Sequence, residues 1–166
     1  MKRYRAVGYA MAVAGGVLLP AVAHADVAAP AVGSPCAAEL ADTMTLLPDE
    51  STYVSCQQVG PGQEWAQVQT PFEPSDSWLS YGPAITLHGQ GMRNPNLTSG
   101  RWAATPVNPE TTCRATQTTV VEAGVLAQPV VTAGEQGRPL ELEMLPRLFY
   151  VELEGECLWE RTSWGF

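Results

Sequence analysis

From residue 51 onward the chain alternates apolar and polar positions in short runs, broken by Gly, Pro and Asn. Runs rich in Val, Thr, Tyr and Trp with period two are the signature of half-buried strands. Eight such runs are predicted as strands: 52–59, 64–69, 84–88, 101–105, 113–122, 126–131, 140–145 and 148–159. Turn residues recur between them at intervals of roughly 8–15 residues, the rhythm of a sandwich or barrel. The segments 70–83 and 89–100 read as longer connections, and Pro129 inside the 126–131 run marks an edge strand. The expected fold is mainly β: an antiparallel β-sandwich with one short N-terminal helix.

That helix is expected at "SPCAAELADTMTLLP". Ser34 serves as cap, Pro35 takes the first helical position, Leu40, Met44 and Leu47 recur at helical spacing, and Pro48 ends it. An irregular segment held by Cys36 is the rival reading.

The strongest alternation is "LELEMLPRLFYVELEGECLW", residues 140–159. Folded as a hairpin about Pro146-Arg147, it sets Leu140 against Leu153, Leu142 against Val151 and Met144 against Phe149. Cys157 and Trp159 continue that apolar side. The other face then carries Glu141 opposite Glu152, a like-charge pair costing a few tenths to about 1 kcal/mol. These glutamates read as a solvated face. The alternatives are an arginine between them, Arg114 or Arg161, or a hard cation such as calcium.

The chain opens with a basic head (Lys2, Arg3, Arg5), a 14-residue apolar run from Ala6 to Leu19, Pro20, and small residues at Ala23 and Ala25. This is the layout of a cleaved secretory signal peptide. The run is shorter than the roughly 20 residues of a spanning helix. Cleavage after Ala25 leaves residues 26–166: a flexible Ala/Pro-rich lead-in over 26–35, then a single β-rich domain over 36–166. Removing three cations and no acids from a net charge of −8 leaves −11, with six Arg and no Lys. That balance argues against nucleic acid and anionic lipid. No membrane span remains after leader removal.

All four cysteines (Cys36, Cys56, Cys113 and Cys157) lie beyond the leader, and an even count in an exported chain reads as two disulfides. Of three pairings, Cys36–Cys56 and Cys113–Cys157 are favoured because each stays within one half of the chain. No CxxC or CxxH occurs, and His88 is the one histidine past the leader, so no zinc site and no cofactor is implied. The Ala-rich leader ending in "AHAD", the missing Lys and the abundance of Ala, Val, Pro and Gly resemble small exported actinobacterial, mycobacterial-like proteins. The likeness is one of composition and carries no active site across.

Chemistry is sparsely signalled. "LHGQG" after a strand resembles the oxyanion loop of lipases and esterases, but no G-x-S-x-G and no later histidine accompany it. His88 therefore reads as an ordinary strand-end histidine. "NLT" at 96–98 matches a glycosylation sequon, and its Asn-Pro neighbours say turn. Trp65, Trp102 and Trp159 fall on strands and read as core. Trp78 and Tyr81 in the 70–83 connection, and Trp164 in the tail, read as exposed aromatics able to hold a partner. The sequence thus predicts an exported, non-catalytic protein that binds protein or carbohydrate at the cell surface through Trp78, Tyr81, Glu141, Glu152 and Trp164. A secreted hydrolase using His88 or a carboxylate pair is the first alternative. A protease-inhibitor-like module presenting "ATPVNPETTC" is the second.

Overall fold

The computed structural model describes residues 28–162. The leader and Trp164 lie outside them. The chain is mainly β, with ten strands among the described residues: β1 (Met44–Leu46), β2 (Tyr53–Val59), β3 (Gly62–Gln67), β4 (Ser77–His88), β5 (Gly100–Pro106), β6 (Arg114–Glu122), β7 (Val125–Leu126), β8 (Val130–Ala133), β9 (Leu140–Met144) and β10 (Leu148–Arg161). One hydrogen-bonded network joins them all, in the order β3-β2-β1-β4-β10-β5-β9, with β6 also on β10 and β7 and β8 on β6. The sheet is mixed, because β1 runs parallel to β4 at Met44–Trp78 while the other pairs are antiparallel.

The 14-residue β10 organises the whole. One edge pairs with β4 along its length. On the other edge Leu148–Glu154 pairs with β6, and Cys157–Arg161 pairs with β5. The changeover falls at Gly155, where the β4 register slips and φ is +95°. A side chain there would meet the Thr112 carbonyl at 2.5 Å, so this bend requires glycine.

The expected 140–159 hairpin does not form. β9 pairs with β5, in the register Leu140–Ala104, Leu142–Trp102 and Met144–Gly100. The corner at 145–147 explains the divergence, since its backbone groups are engaged elsewhere. The Leu145 N–H donates to Gln117 Oε1 at 2.9 Å, and its carbonyl accepts from Ser99 at 2.8 Å. The Arg147 carbonyl, at a residue with φ of 58°, accepts from Val120 at 2.9 Å. The alternation is as expected except at the start of β10, where an irregularity in the β6 register buries Leu148 and leaves Phe149, expected inward opposite Met144, half-buried. Leu140, Leu142 and Met144 are buried with Glu141 and Glu143 outside, and Val151, Leu153, Cys157 and Trp159 are buried on β10.

The expected N-terminal helix is replaced by a three-residue 3-10 turn, Ala38–Leu40, followed by β1. Asp42 takes a left-handed φ of 62°, which stops the turn. The Cys56 N–H then donates to the Thr43 carbonyl, drawing Met44–Leu46 onto β2. The helical spacing of Leu40, Met44 and Leu47 is thus overridden by strand pairing. The end of the expected lead-in, residues 33–35, and Cys36 after it run along β3, with Gly33 donating to Trp65, Trp65 to Ser34 and Cys36 to Gln63.

The main core gathers side chains from β1, β4, β5, β6, β9 and β10 around Trp78, Trp102 and Trp159, all essentially inaccessible. Each indole N–H is satisfied: Trp78 by the Ser75 carbonyl, Trp102 by the Thr98 carbonyl, and Trp159 by Ser80 Oγ at 2.8 Å. A second, smaller core holds Val54, Cys56, Trp65 and Leu79. Both disulfides have the favoured pairing, Cys36–Cys56 beside the small core and Cys113–Cys157 within the main one.

Candidate functional site

The aromatics expected on a loop are strand residues. Trp78 (0% exposed) and Tyr81 (6%) belong to β4, whose run Trp78–Tyr81 is buried throughout. A stretch covered on both faces has no reason to alternate, so it reads as connection rather than strand. Trp78 packs edge-on to Tyr53 and presents no surface to a partner. Tyr81 keeps a functional position, because it walls a cavity.

That cavity, about 360 Å³, lies between the β1–β2 corner and the middle of β4. Leu46, Leu47 and Pro48 form one side, and Tyr81, Pro83, Ala84, Ile85 and Thr86 the other. It opens where β4 leaves its register with β10, between Gly82 and Ile85. Tyr81 donates its hydroxyl to the Leu46 carbonyl at 2.8 Å, tying the two walls. Burial, and next the nearby negative charge of Asp49, push the Tyr81 phenol above its ordinary pKa, so it stays a neutral donor.

The corner at the cavity mouth is built by Asp49. Its carboxylate accepts from the Thr52 hydroxyl at 2.6 Å, the Thr52 N–H at 2.9 Å and the Ser51 N–H at 3.1 Å. These bonds, the Thr52 hydroxyl first, hold its pKa at about 2 against an ordinary 3.8. Neighbouring Glu50, with φ of 57°, is part of the cavity lining. The result is an apolar recess with a carboxylate at its edge.

A second concavity of about 360 Å³ sits at the far end of β4, around Tyr53, Phe72, His88, Arg93, Asn94 and Asn96. Buried Asn96 fixes it: its Oδ1 accepts from the His88 N–H at 2.7 Å and from the Tyr53 hydroxyl at 3.4 Å. Burial raises the Tyr53 phenol pKa, with the Asn96 bond opposing. The sequon asparagine is therefore a structural brace. The glycines of "HGQG" also have a structural reason. A side chain at Gly89 would lie 2.5 Å from Leu148, and Gly91 donates to the Leu148 carbonyl at 2.7 Å. They let the chain cross the start of β10 closely. The lining around His88 holds no Ser, Cys or carboxylate.

The glutamates are dispersed. Glu141 lies opposite Ala103 on β5, and Glu152 lies between Thr86 on β4 and Thr116 on β6. The Glu141–Glu152 pair and its like-charge cost do not exist. Arg114 does pair an acid of β10, but it is Glu154, at 3.5 Å with both side chains half exposed. Arg161 pairs with Asp76 at 3.5 Å. Among the described residues, no group of three or more His, Cys, Asp or Glu is placed to hold a metal ion. The "ATPVNPETTC" segment is strand β5 up to Pro106 and then a tethered loop. Val107 donates to the Glu156 carbonyl at 2.8 Å, Asn108 bonds the Glu156 carboxylate, and the Thr111 carbonyl accepts from Gly137 at 2.8 Å.

The cavity went unseen in the sequence because its buried walls, Leu46, Tyr81 and Ile85, and its exposed ones, among them Pro48, Pro83 and Ala84, come from separate elements that meet only at the parallel β1–β4 contact. The one local signal was "LLPDEST", whose Pro-Asp and Ser/Thr content marks a tight corner. Compared with protein-family models, curated proteins and solved structures, the chain finds no match.

Proposed function

We propose that this chain is an exported, disulfide-bonded binding protein that receives the apolar part of a small amphiphile in the Leu46–Tyr81–Ile85 cavity. The carrying observation is that cavity: a recess of about 360 Å³ with apolar walls, and Glu50 in its lining. Pockets of this size and character are the usual seats of small ligands. The basic-headed, apolar leader and the two disulfides are compatible with an oxidising compartment outside the cytoplasm. The Asp49–Glu50 corner and the net negative chain favour a ligand whose head is neutral or cationic, and disfavour a carboxylate or phosphate head.

The test is a titration with an alkyltrimethylammonium and an alkyl sulfate of equal chain length, below micelle formation, followed by methyl NMR. Saturable shifts of the Leu46 and Ile85 methyls with the cationic amphiphile, lost in Ala84→Trp, are expected. Glu50→Lys should shift preference toward the sulfate. Unperturbed methyls, or binding indifferent to Ala84→Trp, would overturn the reading.

A further inference from the structure

Among the described residues four strands have a single neighbour, β3, β9 and the pair β7 and β8 on β6, and these edges are treated differently. The β3 edge is covered by residues 33–36, stapled through Cys36–Cys56. The outer side of β9 is met by Gln117, whose Nε2 donates to the Glu143 carbonyl at 3.0 Å while its Oε1 accepts from the Leu145 N–H at 2.9 Å. β8 pairs with β6 alone. We propose that this third edge is where two copies of the chain join, β8 adding antiparallel to β8 of the second copy.

Ladder parity shows which groups are on offer. The Gly134 N–H donates to the Cys113 carbonyl at 2.9 Å, on the β6 side. Alternation then turns Val130 and Thr132 toward β6 and leaves the N–H and C=O of Val131 and Ala133 facing outward. Pro129 shares the outward parity, so its missing N–H costs the β6 ladder nothing.

The side chains around this edge are apolar. Val121, Val125, Leu126, Val130 and Val131 are each 42–52% exposed. They are five of the eight large hydrophobics that are exposed among the described residues. Proteins commonly guard such edges with charge, yet no charged residue occurs between 123 and 134.

Charge and register together favour a second copy as occupant. A net charge of −8 opposes contact between copies over most of the surface, and the uncharged stretch 123–134 is where that repulsion is least. The outward parity permits an antiparallel register with Thr132 on the two-fold axis and Val131 opposite Ala133. Each copy's free N–H then meets the other's free carbonyl. Glu135 falls opposite Pro129, so no carboxylate faces another. The surface is self-complementary, as a two-fold interface requires. It is small for a lasting complex, so a dissociation constant in the micromolar range is expected.

The test is sedimentation equilibrium of the exported chain from about 1 to about 500 µM. A reversible monomer–dimer equilibrium is expected. Val131→Pro removes only an outward N–H and Val131→Lys adds charge to the edge. Each should weaken dimerisation about tenfold or more at an unchanged thermal midpoint. Monomer at every concentration would overturn the proposal. So would a dimer indifferent to both substitutions. Concentration-independent protection of the Val131 and Ala133 amides would also overturn it, by placing the chain's own terminal segment there.

Discussion

The two ends of the sheet solve the same problem in opposite ways. At the β3 end, four residues of incoming chain supply the missing ladder partner, and the Cys36–Cys56 bridge keeps them in place. At the β8 end, backbone groups and valines are left open. Between these extremes, β9 is met by a single glutamine side chain that imitates a neighbouring strand. Protection of an edge is therefore a property of what lies beside it, and the strand's own sequence does not reveal it. β3 and β8 are both short, and neither advertises its fate.

The largest expected effect comes from the covalent staples. In the chain-entropy picture, the Cys113–Cys157 bridge, with a separation of 44 residues, contributes about 4 kcal/mol. Cys36–Cys56, with a separation of 20, contributes about 3 kcal/mol. Replacing Cys113 and Cys157 by Ser should lower stability to denaturant across the whole molecule. Replacing Cys36 and Cys56 by Ala should cost less, and should release the Gly33, Cys36 and Trp65 amides to exchange well before the main core. Equal, global losses from the two double replacements would erase the distinction between a core bridge and an edge staple.

Next in size is Gln117→Leu. It keeps bulk but strands the Leu145 N–H and one bond of the Glu143 carbonyl, at a cost of about 1–3 kcal/mol by chemical denaturation. If Gln117→Leu were neutral, β9 would need no such partner and its likeness to the β3 edge would fail.

The smallest effect concerns the Asp49 corner. Its folded pKa of about 2 lies below the ordinary 3.8, so its contribution is present above about pH 4 and is lost as pH falls toward 2. Asp49→Asn should flatten the dependence of the thermal midpoint on pH across that window, by lowering the midpoint slightly above about pH 4 and leaving it little altered near pH 2. An unchanged slope would show that the turn around Asp49 forms without its charge.

The sequence showed faces better than partners. In 140–159 the alternation identified Leu140, Leu142, Met144, Phe149, Val151, Leu153, Cys157 and Trp159 as inward residues, and all but Phe149, displaced by the irregularity after Leu148, are buried. Period two fixes which side of a strand faces the core, but it is silent on which strand lies next to it. The hairpin was inferred from adjacency in sequence. The actual neighbour, β5, lies some forty residues upstream. Trp78–Tyr81 and Met44–Leu46 escaped notice because they are buried without alternation. The disulfide pairing was legible from locality. The cavity was not, because it exists only where β1 and β4 meet. Of the residues expected to bind, Tyr81 lines it, Trp78 is core, and Glu141 and Glu152 stand apart on the surface.

Residue-resolved amide exchange in dilute solution tests the contrast between the two ends most directly. The account expects slow exchange at Gly33, Cys36 and Trp65, and slow exchange at Val130 and Thr132, which face β6. It expects fast exchange at Val131 and Ala133, slowing as protein concentration rises. Strong protection of Val131 and Ala133 at low concentration, matching Cys36 and Trp65, would contradict it.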